Sequence, residues 1–260
     1  MKLLKDILYK VDLECIEGST NFAIPHICFD SREVQKDSLF IAVNGTLSDG
    51  HSFIDSAISK GAIGVVCENL PQTINPKVVY IKVKNSAQSL GIIASNFYDN
   101  PSEKLKLVGV TGTNGKTTVA TLLHNLFQAM GYKAGLLSTV VYKIGPSSFN
   151  ATHTTPDAIR LNQLMQEMVT AGCKYCFMEV SSHAIAQGRI SGLEFDIALF
   201  SILRGDVEDD LTDEDRAIVE AVADRVRSTT YKRTNPFNLD HPIDTSRYDV
   251  LNKLDNYLRS

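Results

Sequence analysis

The sequence predicts an α/β protein: a small N-terminal α/β domain, then part of a second domain with a parallel sheet, then a helical tail. The first observation is that short apolar runs alternate with helical segments over residues 1–100 and again over 105–200. The second is the glycine-rich stretch GVTGTNGKTT at residues 109–118, which joins an apolar run to an amphipathic segment. The third is the tail, residues 201–260, where the only regular patterns have helical periodicity.

The first hundred residues are predicted to form a small sheet with helices. Apolar runs predict strands at 38–43, 62–67 and 78–83, and 3.6-residue periodicity predicts helices at 53–60 and 86–98. The first eleven residues resemble the start of an amphipathic helix. Asn100-Pro101-Ser102 is a turn cluster. We therefore place a domain boundary there and take residues 1–100 as the first domain.

Residues 101–200 are predicted to form the second, incomplete domain. Its predicted strands are 105–110, 134–139, 175–180 and 196–200, and a helix is expected at 157–171 after a loop that contains residues 145–148. In the helix that follows the glycine-rich stretch, the apolar residues predicted to face inward are Leu122, Leu123, Leu126 and Phe127. Because ligands on parallel sheets bind at the carboxyl ends of the strands, the loops after these strands are expected to share one site.

The stretch at 109–118 has the composition of a phosphate-binding loop. A turn between a strand and a helix N-terminus directs backbone N–H groups and the helix dipole at one point, which suits a polyphosphate. Lys116 is expected to reach the terminal phosphates, and the hydroxyl of Thr117 to bind Mg²⁺. Val110 stands where the strict P-loop pattern has its first glycine, so the loop is a variant. The predicted ATP-binding residues are Gly112, Thr113, Asn114, Gly115, Lys116, Thr117 and Thr118.

Composition restricts the remaining classes of partner. A net charge of −4 over 260 residues gives no reason to expect nucleic acid or an acidic membrane surface. There is no apolar run long enough to span a bilayer and no signal-peptide pattern. Five scattered cysteines do not form a disulfide framework, and the Cys173-x-x-Cys176 pair lacks a second ligand pair and is expected to be buried. We expect a cytoplasmic protein.

The variant loop resembles the nucleotide loop of the Mur ligases, which build the peptide of the bacterial cell-wall precursor. Within that family the chain is most similar to the MurE type over about residues 1–200. The motifs that carry the resemblance are Asp30-Ser31-Arg32, Asp49-Gly50-His51-Ser52-Phe53-Ile54, His153-Thr154-Thr155-Pro156, Glu179-Val180-Ser181-Ser182-His183 and Gln187-x-Arg189. The resemblance implies a uridine-binding N-terminal domain and a P-loop ATPase domain.

The resemblance also implies the roles of individual residues. Lys116 and Glu179 would be catalytic, and Thr117 and Glu179 would bind Mg²⁺, a hard cation that prefers oxygen ligands. His183 either supports this site or is an ordinary surface histidine. The residues implied to bind the UDP precursor are Phe29, Ser31, Thr46, Leu47, Ser48, His153, Thr154, Thr155, Ser181, Gln187 and Arg189.

The implied function is ATP-dependent addition of the third amino acid, such as meso-diaminopimelate or lysine, to UDP-MurNAc-L-Ala-D-Glu. Binding of ATP or UDP-MurNAc-dipeptide without catalysis is the alternative. Another P-loop enzyme, such as a kinase or a nucleotide hydrolase, fits less well because the Thr-Thr-Pro and Glu-Val-Ser-Ser-His motifs would be unexplained.

The chain departs from the family pattern after residue 200. Val207 occupies the position of a metal-binding histidine, and Ala221 that of a lysine that is carbamylated in the family. The tail is predicted to be a helix–loop–helix, and we expect the domain that binds the incoming amino acid in this family to be absent. We favour a truncated or frameshifted ligase with a foreign tail; a degenerate paralogue, or a ligase completed by a separate chain, are the alternatives. The departures predict that this chain does not form the amide bond by itself.

Overall fold

The computed structural model describes residues 1–45, 48–151 and 155–201. Within these ranges the chain forms two successive α/β regions, an N-terminal region up to residue 98 and a central region from residue 101 to 201. The predicted helix–loop–helix tail lies outside the described residues. None of the described helices is long and apolar enough to cross a bilayer.

The N-terminal region is built around a five-stranded sheet in the order β2-β7-β6-β5-β4. The strands β4 to β7 run parallel, and β2 is an antiparallel edge strand. The strands are β1 (Lys2–Leu3), β2 (Leu13–Glu17), β3 (Ala23–Ile24), β4 (Ile27–Cys28), β5 (Ser38–Ile41), β6 (Ala62–Cys67) and β7 (Val79–Val83). The helices are α1 (Leu4–Ile7), a 3₁₀ turn (Gly50–Phe53), α2 (Ile54–Ser59) and α3 (Ser86–Phe97).

The central region contains a six-stranded sheet in the order β11-β10-β9-β12-β8-β13. Its strands are β8 (Lys106–Gly112), β9 (Ala134–Leu137), β10 (Val141–Ile144), β11 (Ser147–Asn150), β12 (Tyr175–Glu179) and β13 (Ile197–Ser201). Its helices are α4 (Pro101–Lys104), α5 (Lys116–Ala129), α6 (Ala158–Thr170) and α7 (Ser182–Ala186). The strands β9, β12, β8 and β13 are parallel, so their carboxyl ends meet at one edge.

Helices cover both faces of the central sheet, as the alternating pattern predicted. On one face, Val119, Leu123 and Phe127 of α5 pack against Val108 and Val110 of β8. On the other face, the buried apolar side chains of α6 contact the sheet through Leu161, Leu164, Met165 and Met168. Burial of such apolar stripes is the main favourable contribution to packing of these layers.

The structure corrects the predicted inward face of α5. Leu122 is 48% exposed, because the helix presents positions 119, 120, 123, 124 and 127 to the sheet instead. His124, a polar residue left out of the predicted stripe, is 1% exposed. Its burial lowers the pKa of the imidazole, since desolvation penalises the charged ring.

The structure also contains strands that the sequence patterns did not predict. The segment after Thr139 was predicted to be a loop around residues 145–148, but it forms the antiparallel hairpin β10–β11, with Gly145 at a φ of +55° in the turn. Only Tyr142 and Ile144 are buried in this hairpin, so it has a weak apolar pattern. The edge strand β2 was missed for a similar reason, because its residues are exposed or half-buried.

Candidate functional site

The phosphate loop lies between β8 and α5, as predicted. Gly115, with a φ of +79°, precedes the first residue of α5. Gly112 has a φ of +132°, and a Cβ atom at this position would lie 2.0 Å from the carbonyl oxygen of Ser201 in β13. Glycine is therefore required at 112 by both the backbone conformation and the neighbouring strand. The resulting turn leaves the N-terminus of α5 oriented as an anion-binding site.

Lys116 and Thr117, the two side chains expected to act on phosphates and metal, lie at the start of α5. The Lys116 Nζ donates hydrogen bonds of 2.6 Å to the Gly112 carbonyl and 3.2 Å to the Thr113 carbonyl. The ammonium group is therefore held over the loop itself. Thr113 and Asn114 are exposed on the loop, and Thr118 is exposed on the first turn of α5. Asn114 also interacts with other groups.

Glu179 is brought to the phosphate loop by the register of the sheet. It is the last residue of β12 and pairs with Val110 of β8, two residues before Gly112. Its side chain is 1% exposed. The Thr117 hydroxyl donates to Oε2 at 2.9 Å, the Thr139 hydroxyl donates to Oε2 at 3.0 Å, and the Thr139 N–H donates to Oε1 at 2.7 Å.

This arrangement fits a Mg²⁺ ion. A buried carboxylate held by neutral donors carries a negative charge that a hard cation would offset, and Thr117 supplies a second oxygen beside it. The described residues contain no group of three or more His, Cys, Asp or Glu side chains that could hold a metal alone. Mg²⁺ commonly uses one or two protein oxygens together with substrate phosphates and water, so this small donor set is suitable.

Thr139 is a site residue that the sequence reasoning missed. It follows β9, which lies next to β12 in the sheet, and both its N–H and its hydroxyl contact Glu179. The available signal was a polar residue at the carboxyl end of the predicted strand 134–139.

A large cavity of about 1020 Å³ lies between the N-terminal and central regions. Five of the residues predicted to bind the UDP precursor line it: Phe29, Ser31, Ser48, Gln187 and Arg189. Cavity-lining residues that the sequence reasoning did not name include Asn44, Glu68, Asn85 and Asp157. Glu68 is a polar residue directly after β6, so the rule that identifies Thr139 would also have identified it.

Thr155 and Ser181 lie behind the cavity wall and hold it in place. Thr155 is 1% exposed, and its hydroxyl donates to the main-chain carbonyl of Glu179 at 3.0 Å. The same hydroxyl accepts a hydrogen bond from the Ser181 N–H at 3.3 Å. The Ser181 hydroxyl caps α7 by accepting from the Ala184 N–H. Direct contact of these two hydroxyls with a precursor stays a prediction.

Arg189 is one of the charged residues that line the cavity. Its guanidinium donates to the main-chain carbonyl of Thr155 at 2.7 Å, and to the Gln187 side-chain oxygen at 2.6 and 2.9 Å. A guanidinium fixed in this way is suited to a phosphate or a carboxylate. His183 of the same segment is exposed. Thr46, Leu47, His153 and Thr154 lie outside the described residues.

The Asp30-Ser31-Arg32 segment forms an ordered rim. The Asp30 carboxylate accepts from the Arg32 N–H at 2.8 Å and pairs with its guanidinium. The hydrogen bond from the Arg32 side chain is the largest cause that lowers the pKa of Asp30 below 3.8. Ser31 is presented at the centre of this turn.

The Asp49–Ile54 motif also has a structural role at the cavity. The Asp49 carboxylate lies 2.6 Å from Nδ1 of His51, and His51 Nε2 accepts from the Glu68 N–H at 2.9 Å. Glu68 Oε1 in turn accepts from the N–H and the hydroxyl of Ser86 at the start of α3. A neutral ring with its proton on Nδ1 satisfies both of its contacts. These four residues tie the loop before α2 to the floor of the cavity.

Comparison with known proteins identifies the family of this chain. The model of the Mur ligase family catalytic domain matches residues 23–98, and the Mur ligase middle domain model matches residues 110–236, which extends beyond the motifs noted in the sequence. The UDP-N-acetylmuramoyl-L-alanyl-D-glutamate–2,6-diaminopimelate ligase of Cytophaga hutchinsonii is 59% identical over 204 residues, covering 78% of this chain and 42% of that protein. The corresponding ligase of Parabacteroides distasonis is 52% identical over 203 residues, with the same coverage.

The fold also matches a solved structure. The structure of a UDP-N-acetylmuramoyl-L-alanyl-D-glutamate–2,6-diaminopimelate ligase aligns with a TM-score of 0.65 and 23% identity, over 86% of this chain and 44% of that one. The chain thus spans less than half the length of these relatives. On the two family matches and the 59% identity to a MurE ligase, the chain belongs to the Mur ligase family, of which it carries the N-terminal and middle domains.

Proposed function

We propose that this chain is the two-domain, substrate-binding part of an ATP-dependent ligase of peptidoglycan precursor synthesis. Residues 1–100 would form the domain that binds the uridine part of UDP-MurNAc-L-Ala-D-Glu, and residues 101–200 the domain that binds ATP with Mg²⁺. The reaction would join the dipeptide carboxylate to the amine of a third amino acid. Diaminopimelate is the first choice because the relatives are named for it, and lysine is the alternative. A cytoplasmic location, where ATP is present, is part of this proposal.

A continuous chain of hydrogen bonds is the single observation that carries the proposal. Thr117 of the phosphate loop donates to the Glu179 carboxylate, and the Glu179 main-chain carbonyl accepts from the Thr155 hydroxyl. The Thr155 main-chain carbonyl then accepts from Arg189 in the cavity. Glu179 and Thr155 would therefore connect a nucleotide site at Thr117 to a site at Arg189 that is suited to an anionic sugar nucleotide. Transfer of a phosphoryl group from ATP to a carboxylate requires two anionic reactants to be held close together.

The residues of the chain would have distinct tasks in this reaction. Loop N–H groups and Lys116 would hold the ATP phosphates, and Thr117 and Glu179 would hold Mg²⁺. When bound, Mg²⁺ would neutralise charge between the phosphates and the carboxylate. Arg189, positioned by Gln187 and Thr155, would orient the precursor, so that its carboxylate faces the loop.

Binding without ligation is the activity we propose for this chain alone. Val207 and Ala221 cannot supply the imidazole and the carbamylated lysine that the family pattern has at these positions. Binding and slow ATP hydrolysis would remain, whereas amide formation with diaminopimelate or lysine would not be detected. A UDP-tripeptide formed at an ordinary enzymatic rate, detected by mass spectrometry, would contradict this part.

Two binding experiments test the proposal. Calorimetry should show Mg-ATP binding to the wild type and much weaker binding to Lys116→Ala. Lys104→Ala, which removes an exposed lysine from α4, is the control and should bind as the wild type does. A thermal-shift series should show increasing stabilisation from UDP to UDP-MurNAc to UDP-MurNAc-L-Ala-D-Glu, because binding to the folded state raises stability. Equal ATP affinity of wild type and Lys116→Ala, or no gradation in the series, would refute it.

A further inference from the structure

The N-terminal and central regions meet through backbone atoms at one point beside the cavity. Gly91 lies in the middle of α3, facing the turns that follow α7. A Cβ atom at Gly91 would lie 2.5 Å from the carbonyl oxygen of Ser191 and 2.7 Å from its Cβ. Ser191 is 4% exposed, so its backbone has little space into which to retreat.

The segment that follows α7 also has glycines at this contact. Gly192 has a φ of +79°, and a Cβ atom there would lie 2.9 Å from the Cα of Ile92. Gly188 has a φ of +65°, and its Cβ would lie 3.2 Å from the carbonyl group of Ala87. We call the contact of residues 87–92 of α3 with Gly188, Ser191 and Gly192 the glycine joint. Only glycine allows helix α3 and this turn segment to approach so closely.

Residues of the glycine joint are interspersed with cavity-lining residues, both along α3 and along the segment after α7. Ala87 and Leu90 on α3 line the cavity, and so do Gln187 and Arg189 on the opposing segment. The first residue of α6, Ala158, is also packed into the apolar core of the N-terminal region. The joint therefore fixes the separation of two cavity walls that belong to different regions.

We infer that the glycine joint is a positioning device that sets the width of the cavity for a ligand that spans both walls. The inference rests on the proposed function and deepens it. The nucleoside of a nucleotide sugar with an acidic peptide would contact the cavity wall of the N-terminal region, which includes Ser31. The carboxylates of its peptide would contact Arg189 on the wall of the central region. A nucleoside diphosphate alone would be held mainly by the N-terminal wall. Separation of the walls should therefore weaken binding of the first ligand much more than that of the second.

The test replaces Gly91 with alanine and compares two ligands. Within a helix this substitution ordinarily stabilises, because alanine has the higher helix propensity. Here the added methyl group must displace the Ser191 backbone. We expect this overpacking to lower affinity for the spanning ligand about ten-fold. Calorimetry on the whole chain should show that loss for UDP-MurNAc-L-Ala-D-Glu, with little change for UDP or Mg-ATP.

The control is Gly64→Ala in β6. Its added methyl group would lie 2.8 Å from Cδ1 of Leu39, which is inside the N-terminal core and away from the joint. It tests overpacking in general and should leave the ratio of precursor to UDP affinity unchanged. Gly192→Ala approaches the joint from the central region, and it replaces Gly91→Ala if that variant does not fold.

The outcomes separate the inference from the proposed function. If the wild type does not bind the precursor, the proposed function is wrong. If the wild type binds it and a joint variant lowers the precursor-to-UDP affinity ratio while Gly64→Ala does not, the inference is supported. If the joint variants keep the wild-type ratio, or if Gly64→Ala changes it equally, the inference is overturned while the proposed function stands.

Discussion

The hydroxyl of Thr117 donates a hydrogen bond of 2.9 Å to the carboxylate of Glu179, although 62 residues separate them in the chain. The contact joins the first turn of α5 to the carboxyl end of β12. It places the only buried carboxylate among the described residues beside the phosphate loop. This pair is the basis of the first prediction.

Replacement of Glu179 by glutamine should weaken Mg-dependent binding of ATP. The amide keeps the size of the side chain but removes its charge, and its nitrogen cannot accept from Thr117 or Thr139. Since buried donors lose an acceptor, the free energy of unfolding should fall by about 1–3 kcal/mol. Calorimetry with Mg²⁺ and with a chelator measures the first effect, and denaturant unfolding the second.

Glu167→Gln is the matched control for this variant. Glu167 is on the surface of α6, at 3.4 Å from Arg160. An exposed ion pair of this kind contributes little to stability. Chelation of Mg²⁺ should reduce the ATP affinity of the wild type to that of Glu179→Gln. If Glu179→Gln responds to Mg²⁺ as the wild type does, Glu179 has no part in metal binding.

Substitution of Arg189 by lysine should reduce affinity for the UDP-dipeptide precursor, although lysine keeps the positive charge. An ammonium group cannot reproduce the planar contacts with the Thr155 carbonyl and the Gln187 oxygen. Those hydrogen bonds are internal to the protein, so affinity falls because lysine presents a less well-positioned point charge in place of the planar guanidinium, and we expect a loss of roughly ten-fold. Thermal shift and calorimetry with the precursor and with UDP measure the effect.

Arg160→Lys serves as the control because Arg160 is paired only at the protein surface with Glu167 among the described residues. It should bind both ligands as the wild type does. An Arg189→Lys protein with unchanged precursor affinity would show that the fixed guanidinium geometry is not used.

Removal of His51 should loosen the floor of the cavity. In His51→Ala, the Glu68 N–H and the Asp49 carboxylate lose their shared partner, so stability should fall by about 1–2 kcal/mol and UDP affinity with it. His51→Gln, whose side-chain oxygen can accept from the Glu68 N–H, should recover part of both. His26→Ala, at an exposed position, is the control. Equal loss in the alanine and glutamine variants would rule out this role for Nε2.

Stability should fall at alkaline pH because of buried thiols. Burial, helped by the charge of Glu33, raises the pKa of Cys28 from 9.0 to about 12, and burial raises that of Cys67 to about 11. Above pH 9 the unfolded chain releases these protons while the folded chain keeps them. The stability present below pH 9 is therefore lost as the pH rises toward the folded values.

Urea unfolding of the wild type and of Cys28→Ala across this pH range checks the prediction. The variant should show a shallower decline from pH 9 upward than the wild type, because it lacks the buried Cys28 thiol. The Cys28 thiol should also resist alkylation in the native state, because thiolate is the reactive form. Parallel slopes for wild type and Cys28→Ala would show that Cys28 makes no such contribution.

The sequence by itself determined the fold class and the position of the glycine-rich loop between β8 and α5. Strand β6 was predicted at its observed bounds and β5, β7 and β8 within two residues, because their continuous apolar runs are buried on both faces. The Gly-Lys-Thr loop was predicted because its chemistry depends on residues adjacent in sequence. The sequence did not predict the hairpin β10–β11, the edge strand β2 or the inward face of α5. Their apolar patterns depend on which residues the neighbouring elements leave exposed.

Only the tertiary structure decided which of the candidate site residues lie together. The sequence named Glu179, Thr155 and Arg189 as separate site residues, but the order of strands in the sheet joins them to Thr117 in one hydrogen-bonded chain. Thr139 and Glu68 were also recognised as candidate site residues only from the tertiary structure, which places Thr139 beside Glu179 and Glu68 in the cavity lining. The close approach of Gly91 to Ser191 has no signature in either local sequence, because it depends on how two regions pack. Contacts between residues far apart in the chain are set by that packing, which local patterns do not encode.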